Sequence, residues 1–170
     1  MERTGIITFM GNRLTLSGPE LRIGDQAPDF KLTANDMSPR TLDDYTGKAI
    51  LLSAVPSLDT VICDTQTKRF NKEADSLGTS LKMLTVSCDL PFAQTRWCGN
   101  EKVNNLETLS DYKDNNFGLA YGILIKELSL LARSIFILNQ QHIITYIQIV
   151  PEVASEVDYT TALEAAWATL

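Results

Sequence analysis

The 170-residue chain has a single histidine, His142, and no two cysteines at CxxC spacing. A structural zinc site needs about four Cys or His ligands at close spacing, so no metal is expected. His142 lies in the strand-like run HIITYIQIV and reads as a surface or strand-end residue. The three cysteines, Cys63, Cys88 and Cys98, are an odd number, which argues against a framework of structural disulfides. No basic cluster is present and the net charge is −6. Nucleic-acid affinity rests on neutralising phosphates, so that class of partner is excluded. No apolar run reaches the ~18–20 residues of a membrane span. The opening MERTGIITFMGNRL carries no signal-peptide core. These absences predict a cytoplasmic protein, away from membranes, with reduced thiols. Glycine-rich fingerprints for flavin or nicotinamide and haem motifs are also missing, so no bound cofactor is expected.

What is present fits one domain over residues 1–170, with a sizeable core. IITFM and RLTL, with Gly11-Asn12 between them, predict an N-terminal β-hairpin. GDQAPDFKLTA reads as a loop and a short strand from about Phe30, and residues 35–48 as loop with a turn at Gly47. AILLSAV (49–55) is an apolar run suited to a strand buried on both faces, and Pro56 ends it. The following helix carries Cys63, Phe70, Ala74 and Leu77 on one face; Asp59 or Thr60 is the expected cap and Gly78 the stop. LKMLTVS (81–87) is the next strand, and Asp89 is expected to cap a short helix in LPFAQTRW, with Pro91 in its first turn. A strand near ETLS, a helix near Asn115–Tyr121, a hairpin of SIFILN and HIITYIQIV, and a last helix after Asp158 complete the chain. The fold class is therefore α/β. The element order is that of a thioredoxin-like core, with a mixed central sheet flanked by helices and the hairpin as an N-terminal extension.

The chemistry gathers in PSLDTVIC, residues 56–63. In open α/β sheets reactive groups collect at the carboxyl ends of strands, where helices begin. A helix start offers unpaired N–H groups and partial positive charge, which favour thiolate over thiol. Asp64 opposes this, while Lys68 and Arg69 lie about one turn further on. Thr60 stands three residues before Cys63, across the first turn, where its hydroxyl can donate to the sulfur or to a bound oxygen. Pro56 removes one N–H and stiffens the approach.

Pro56, Thr60 and Cys63 meet the pattern P-x-x-x-T-x-x-C, the active-site signature of the peroxiredoxins. The segments PSLDTVICDTQTKRFN, SCDLPFAQTRWCG and LLARSIFIL, with ITFMGNRLTLSG and GDQAPDF before them, resemble the thiol peroxidase branch, the atypical 2-Cys enzymes of bacteria. The resemblance covers nearly the whole chain. It implies that Cys63 is the peroxidatic cysteine, whose thiolate attacks a hydroperoxide and is converted to a sulfenic acid. It implies that Thr60 binds peroxide and sulfur, that Pro56 shields the site, and that Arg133 in LLARSIF stabilises the thiolate and the developing charge. Taken without the family, Arg133 reads only as a strand-end charge in need of a partner.

The resemblance further implies that Cys98 resolves the sulfenic acid through an intramolecular disulfide with Cys63. Disulfide geometry requires Cα atoms roughly 4.4–6.8 Å apart, so both segments are expected to unwind during turnover. Cys88, at the end of LKMLTVS, reads as a small buried residue, and spacing leaves a second resolving role open to it. With no CxxC of its own, the chain needs an external reductant, which the resemblance gives as thioredoxin. The implied substrates are hydrogen peroxide and organic hydroperoxides, with Phe92 and Trp97 as candidate apolar surface, and the implied assembly is a homodimer. Two departures from relatives stand out: Val61-Ile62, where Gly or Pro often accompanies Val, and Cys88, where a small residue such as Ala is usual.

Overall fold

The computed structural model describes residues 1–170. Strands β1 (Glu2–Phe9) and β2 (Asn12–Ser17) form the N-terminal hairpin. Its turn is Met10-Gly11 rather than Gly11-Asn12, and Asn12 opens β2. Both turn residues have positive φ, 51° and 78°, as the favoured two-residue hairpin turn requires. The stretch 35–48, expected as loop, contains β4 (Pro39–Arg40), which pairs with β3 (Leu32–Ala34), and a 3₁₀ turn over Leu42–Tyr45.

The centre of the molecule is β5 (Ala49–Ala54), α1 (Val61–Leu77) and β6 (Leu81–Ser87), with β5 and β6 parallel. They are followed by α2 (Pro91–Glu101), β7 (Glu107–Ser110), α3 (Asn116–Ala120), β8 (Leu124–Ile125) and β9 (Leu130–Leu131). The chain ends with β10 (Ser134–Leu138), β11 (Ile144–Ile149) and α4 (Tyr159–Trp167). Seven strands make the main sheet in the order β11-β10-β5-β6-β7-β3-β4. It is mixed: β5, β6 and β7 are parallel, while β10, β11 and β3 run against their neighbours. A second sheet, β1-β2-β8-β9, joins the hairpin to two short strands that periodicity could not mark.

The apolar run of β5 is explained by its two covered faces. Ala49 and Leu51 pack with Phe70 and Leu77 of α1 and with Ala162 and Ala166 of α4. Ile50, Leu52 and Ala54 face the other way, against Ile7 and Leu16 of the hairpin and Phe117 of α3. Each fully buried Leu contributes about 1.5–3 kcal/mol. The last helix begins after Asp158 as expected, and Asp158 caps it, accepting from the Thr161 N–H at 3.1 Å. The α2 cap is not: its N-cap residue is Leu90, and the Asp89 carboxylate turns away toward the loop that follows β5. His142 is buried rather than at the surface, its Nε2 3.2 Å from the Tyr45 carbonyl oxygen. The second sheet closes on α3 tightly: at Gly18, with φ 114°, a Cβ would collide with the Leu119 carbonyl oxygen. No helix is long and apolar enough to cross a membrane.

Candidate active site

The loop from β5 to α1 is held from below by Asp89. Its carboxylate accepts from Ser57 Oγ (2.7 Å), the Leu58 N–H (2.8 Å) and Ser87 Oγ (2.7 Å). This pins the chain as it leaves the sheet and explains why Asp89 is not free to cap α2. Thr60 occupies the N-cap position of α1, but its hydroxyl does not cap the helix. It lies 2.7 Å from Cys63 Sγ and 3.1 Å from the Ser57 carbonyl oxygen. One hydroxyl proton serves one of these at a time. With a thiol at Cys63 the hydroxyl can donate to Ser57; with a thiolate it donates to sulfur.

Cys63 sits in the first turn of α1 and has no solvent exposure. The first ladder bond of the helix runs from the Asp64 N–H to the Thr60 carbonyl, so the N–H groups of Val61, Ile62 and Cys63 precede the ladder. Arg133, between β9 and β10, is also buried. Its Nη2 donates to Cys63 Sγ at 3.3 Å, its Nη1 to Gln66 Oε1 at 2.8 Å and its Nε to the Val153 carbonyl at 3.1 Å. Gln66 in turn donates to Ser53 Oγ of β5 at 2.8 Å. No carboxylate lies within 4.0 Å of the guanidinium. Neither of the cations expected near Cys63 approaches it: Lys68 pairs with Asp64 and Glu101, and Arg69 lies over the Tyr159 ring.

An apolar cavity of about 410 Å³ opens over this arrangement. It is lined on one side by Pro56, Ser57, Thr60, Val61 and Ile62 at the start of α1, and otherwise by Phe9, Leu128, Leu130, Arg133, Val153 and Ala154. Thus Pro56, Thr60, Cys63 and Arg133 lie together at this site. Phe92 and Trp97 do not line this cavity: Phe92 is exposed, and Trp97 is buried against Cys63, Val55 and Leu58. Sequence reasoning missed Gln66, Ser53, Phe9 and the Val153 carbonyl. Gln66 alone left a trace, a polar residue three positions after Cys63 on the same helix face.

Cys98 is elsewhere. It is half-buried on α2, its Sγ 3.4 Å from Thr108 Oγ1 and 4.0 Å from Asn35 Nδ2, and it edges a separate depression of about 290 Å³. All three cysteines are free. The two helices are clasped: the Trp97 indole N–H donates to Asp64 at 3.2 Å, and Lys68 bridges Asp64 (2.9 Å) and Glu101 (2.8 Å). Cys88 is half-buried rather than fully buried. Burial pushes its thiol up to about 12, helped by Asp111 and Asp89 nearby.

A thioredoxin-like sheet with a buried sulfur held by two donors at a helix start defines a thiol-based redox site. Comparison with known proteins agrees. The Redoxin family matches residues 22–163. The thiol peroxidase of Halalkalibacterium halodurans is 52% identical over 164 residues, 96% of this chain and 98% of that protein. The thiol peroxidase of Bacillus subtilis is 48% identical over 160 residues, 94% and 95% of the two chains. Among solved structures, a peroxiredoxin-like protein from Aquifex aeolicus superposes with a TM-score of 0.91 at 33% identity, covering 99% of this chain and 98% of that one. The chain belongs to the Redoxin family and, within it, to the thiol peroxidase branch of the peroxiredoxins, a family of enzymes.

Proposed function

We propose that this chain, acting as a single domain over residues 1–170, is a peroxidase that reduces hydrogen peroxide and organic hydroperoxides at Cys63 and is recycled by thioredoxin. The observation that carries the reading is the pair of hydrogen bonds on Cys63 Sγ, from Thr60 and from a buried Arg133 with no carboxylate partner. A buried cation without an anion is costly, and a thiolate at Cys63 supplies the missing charge. That thiolate attacks the terminal oxygen of the hydroperoxide. The O–O bond breaks, the alkoxide or hydroxide leaves and takes a proton, and Cys63 becomes a sulfenic acid. Thr60 and Arg133 are the catalytic donors to the reacting oxygens, and Pro56 shields the sulfur from bulk water. Substrate alkyl groups occupy the apolar cavity above it.

In the second step the Cys98 thiolate attacks Cys63 Sγ, the S–O bond breaks, hydroxide leaves and takes a proton to become water, and an intramolecular disulfide forms. With Cys98 held by Thr108 and Asn35, the start of α1 and the segment around Cys98 must open for this. A reduced thioredoxin dithiol then returns two electrons. A cytoplasmic location and a homodimeric state are part of this reading, supported by the likeness to bacterial thiol peroxidases. The test is disulfide mapping. The reduced protein is treated with one equivalent of hydrogen peroxide, blocked, digested without reductant and read by mass spectrometry. A Cys63–Cys98 link formed within seconds is expected. A Cys63–Cys88 link would reassign the resolving residue, and no oxidation would overturn the peroxidase reading.

A further inference from the structure

The tip of the N-terminal hairpin is fastened to the active site by one carboxylate. Glu152 follows β11 and is separated from the hairpin by nearly the whole chain. Its Oε2 accepts from Thr8 Oγ1 (2.7 Å) and the Gly11 N–H (3.3 Å); its Oε1 accepts from the Met10 N–H (3.1 Å) and the Ala154 N–H (3.2 Å). These donors hold its carboxyl well below the usual range, at about 2, so the acceptor stays charged. Two backbone bonds flank the clip: the Thr8 N–H to the Pro151 carbonyl at 2.7 Å, and the Val153 N–H to the Thr8 carbonyl at 2.9 Å. Met10 is held at φ 51°, unusual for a residue with a Cβ, and its N–H is thereby aimed at Glu152.

The clip fixes two things that meet in the cavity. It sets Phe9, the residue between Thr8 and Met10, as part of the cavity wall. It also sets Val153 and Ala154, which line the same wall. We infer that Glu152 is a positioning residue for substrate selection: it holds the hairpin tip as the apolar wall that receives the organic part of a hydroperoxide. The inference rests on the peroxidase reading and deepens it. Hydrogen peroxide has no organic part and needs only the sulfur and its two donors. An alkyl or aryl hydroperoxide places its hydrocarbon against Phe9, Leu128 and Val153 and so depends on the wall.

The test compares second-order rate constants for oxidation by cumene hydroperoxide and by hydrogen peroxide in the full chain, for wild type, Glu152→Ala, Glu152→Gln and Phe9→Ala. The expected result is a fall in the cumene-to-hydrogen peroxide ratio of about tenfold in Glu152→Ala and Phe9→Ala, the worth of a lost apolar contact in a pocket. Glu152→Gln, which keeps one acceptor oxygen but loses the other and the charge, should fall between. A merely structural role for Glu152 would lower both rates together and leave the ratio at the wild-type value, which overturns the inference. If Glu152→Ala fails to fold, an unchanged ratio in folded Phe9→Ala overturns it equally. Wild-type protein inert to both peroxides would defeat the peroxidase reading itself, an outcome distinct from an active enzyme whose ratio does not move.

Discussion

Arg133 has three partners and none is a carboxylate: an amide oxygen, a backbone carbonyl and a sulfur. Its planar fork suits this set, since each N–H direction meets one acceptor. A lysine would carry the charge but could not serve all three. Arg133→Lys is therefore expected to lower the rate of Cys63 oxidation by about 10²–10³-fold, the usual cost of a lost donor to a reacting oxygen. Stopped-flow oxidation of the reduced variant measures it, and a loss under about threefold would refute the role. From its residue neighbours alone Arg133 looked like a strand-end charge, and only the family signature marked it. The reason is physical: its partners stand at positions 63, 66 and 153, and no local pattern reports a contact so distant in sequence. Thr60 and Cys63 were readable because one helical turn sets their contact.

At the level of elements, α1 and α2 each carry one thiol and are locked together by Trp97, Asp64, Lys68 and Glu101. In the proposed mechanism the lock opposes the disulfide, because closure would require both helix segments to loosen. Trp97→Phe removes the indole donor, worth about 0.5–1.5 kcal/mol, and is expected to speed disulfide closure by about 2- to 10-fold at unchanged sulfenic acid formation. Hydrogen exchange should show residues 60–66 and 92–99 less protected in the oxidised wild type than in the reduced form; equal protection would mean the helices stay intact. Elements long enough to show periodicity, β5, β6, α1 and α4, were legible in the order of residues alone. The two-residue strands β4, β8 and β9 were not, since two residues carry no period. The α2 cap was misjudged because Asp89 finds three donors across the fold, in Ser57, Leu58 and Ser87, that outcompete the helix start.

Across the whole molecule, charge burial makes stability depend on pH in a particular window. Asp111 lies at the end of β7 and accepts from the Phe117 and Gly118 N–H groups at 3.0 and 2.8 Å. Burial nevertheless pushes its carboxyl up from 3.8 to about 6. The folded state thus binds this proton more tightly than the unfolded chain. The stabilisation is complete below about pH 4, is lost as pH rises to about 6, and amounts to roughly 3 kcal/mol. Urea melts of wild type and Asp111→Asn across this range should converge or cross, with the wild type losing ground as pH rises; parallel profiles would exclude Asp111 as the source. The hairpin extension was legible as an element, but its pairing with β8 and its fastening to residue 152 were not, because both depend on the chain returning after more than a hundred residues.

One continuous run of bonds leads from the sulfur of Cys63 through the guanidinium of Arg133 to the Val153 carbonyl, and from the Val153 N–H to Thr8 and the hairpin tip. In the proposed cycle, when Cys63 joins a disulfide the guanidinium loses its sulfur partner, and Val153 carries that change toward the hairpin tip. On the proposed mechanism the hairpin turn is then an indicator of electron flow: a dye attached there is expected to brighten or dim as Cys63 is oxidised and reduced, turning the enzyme into its own peroxide gauge.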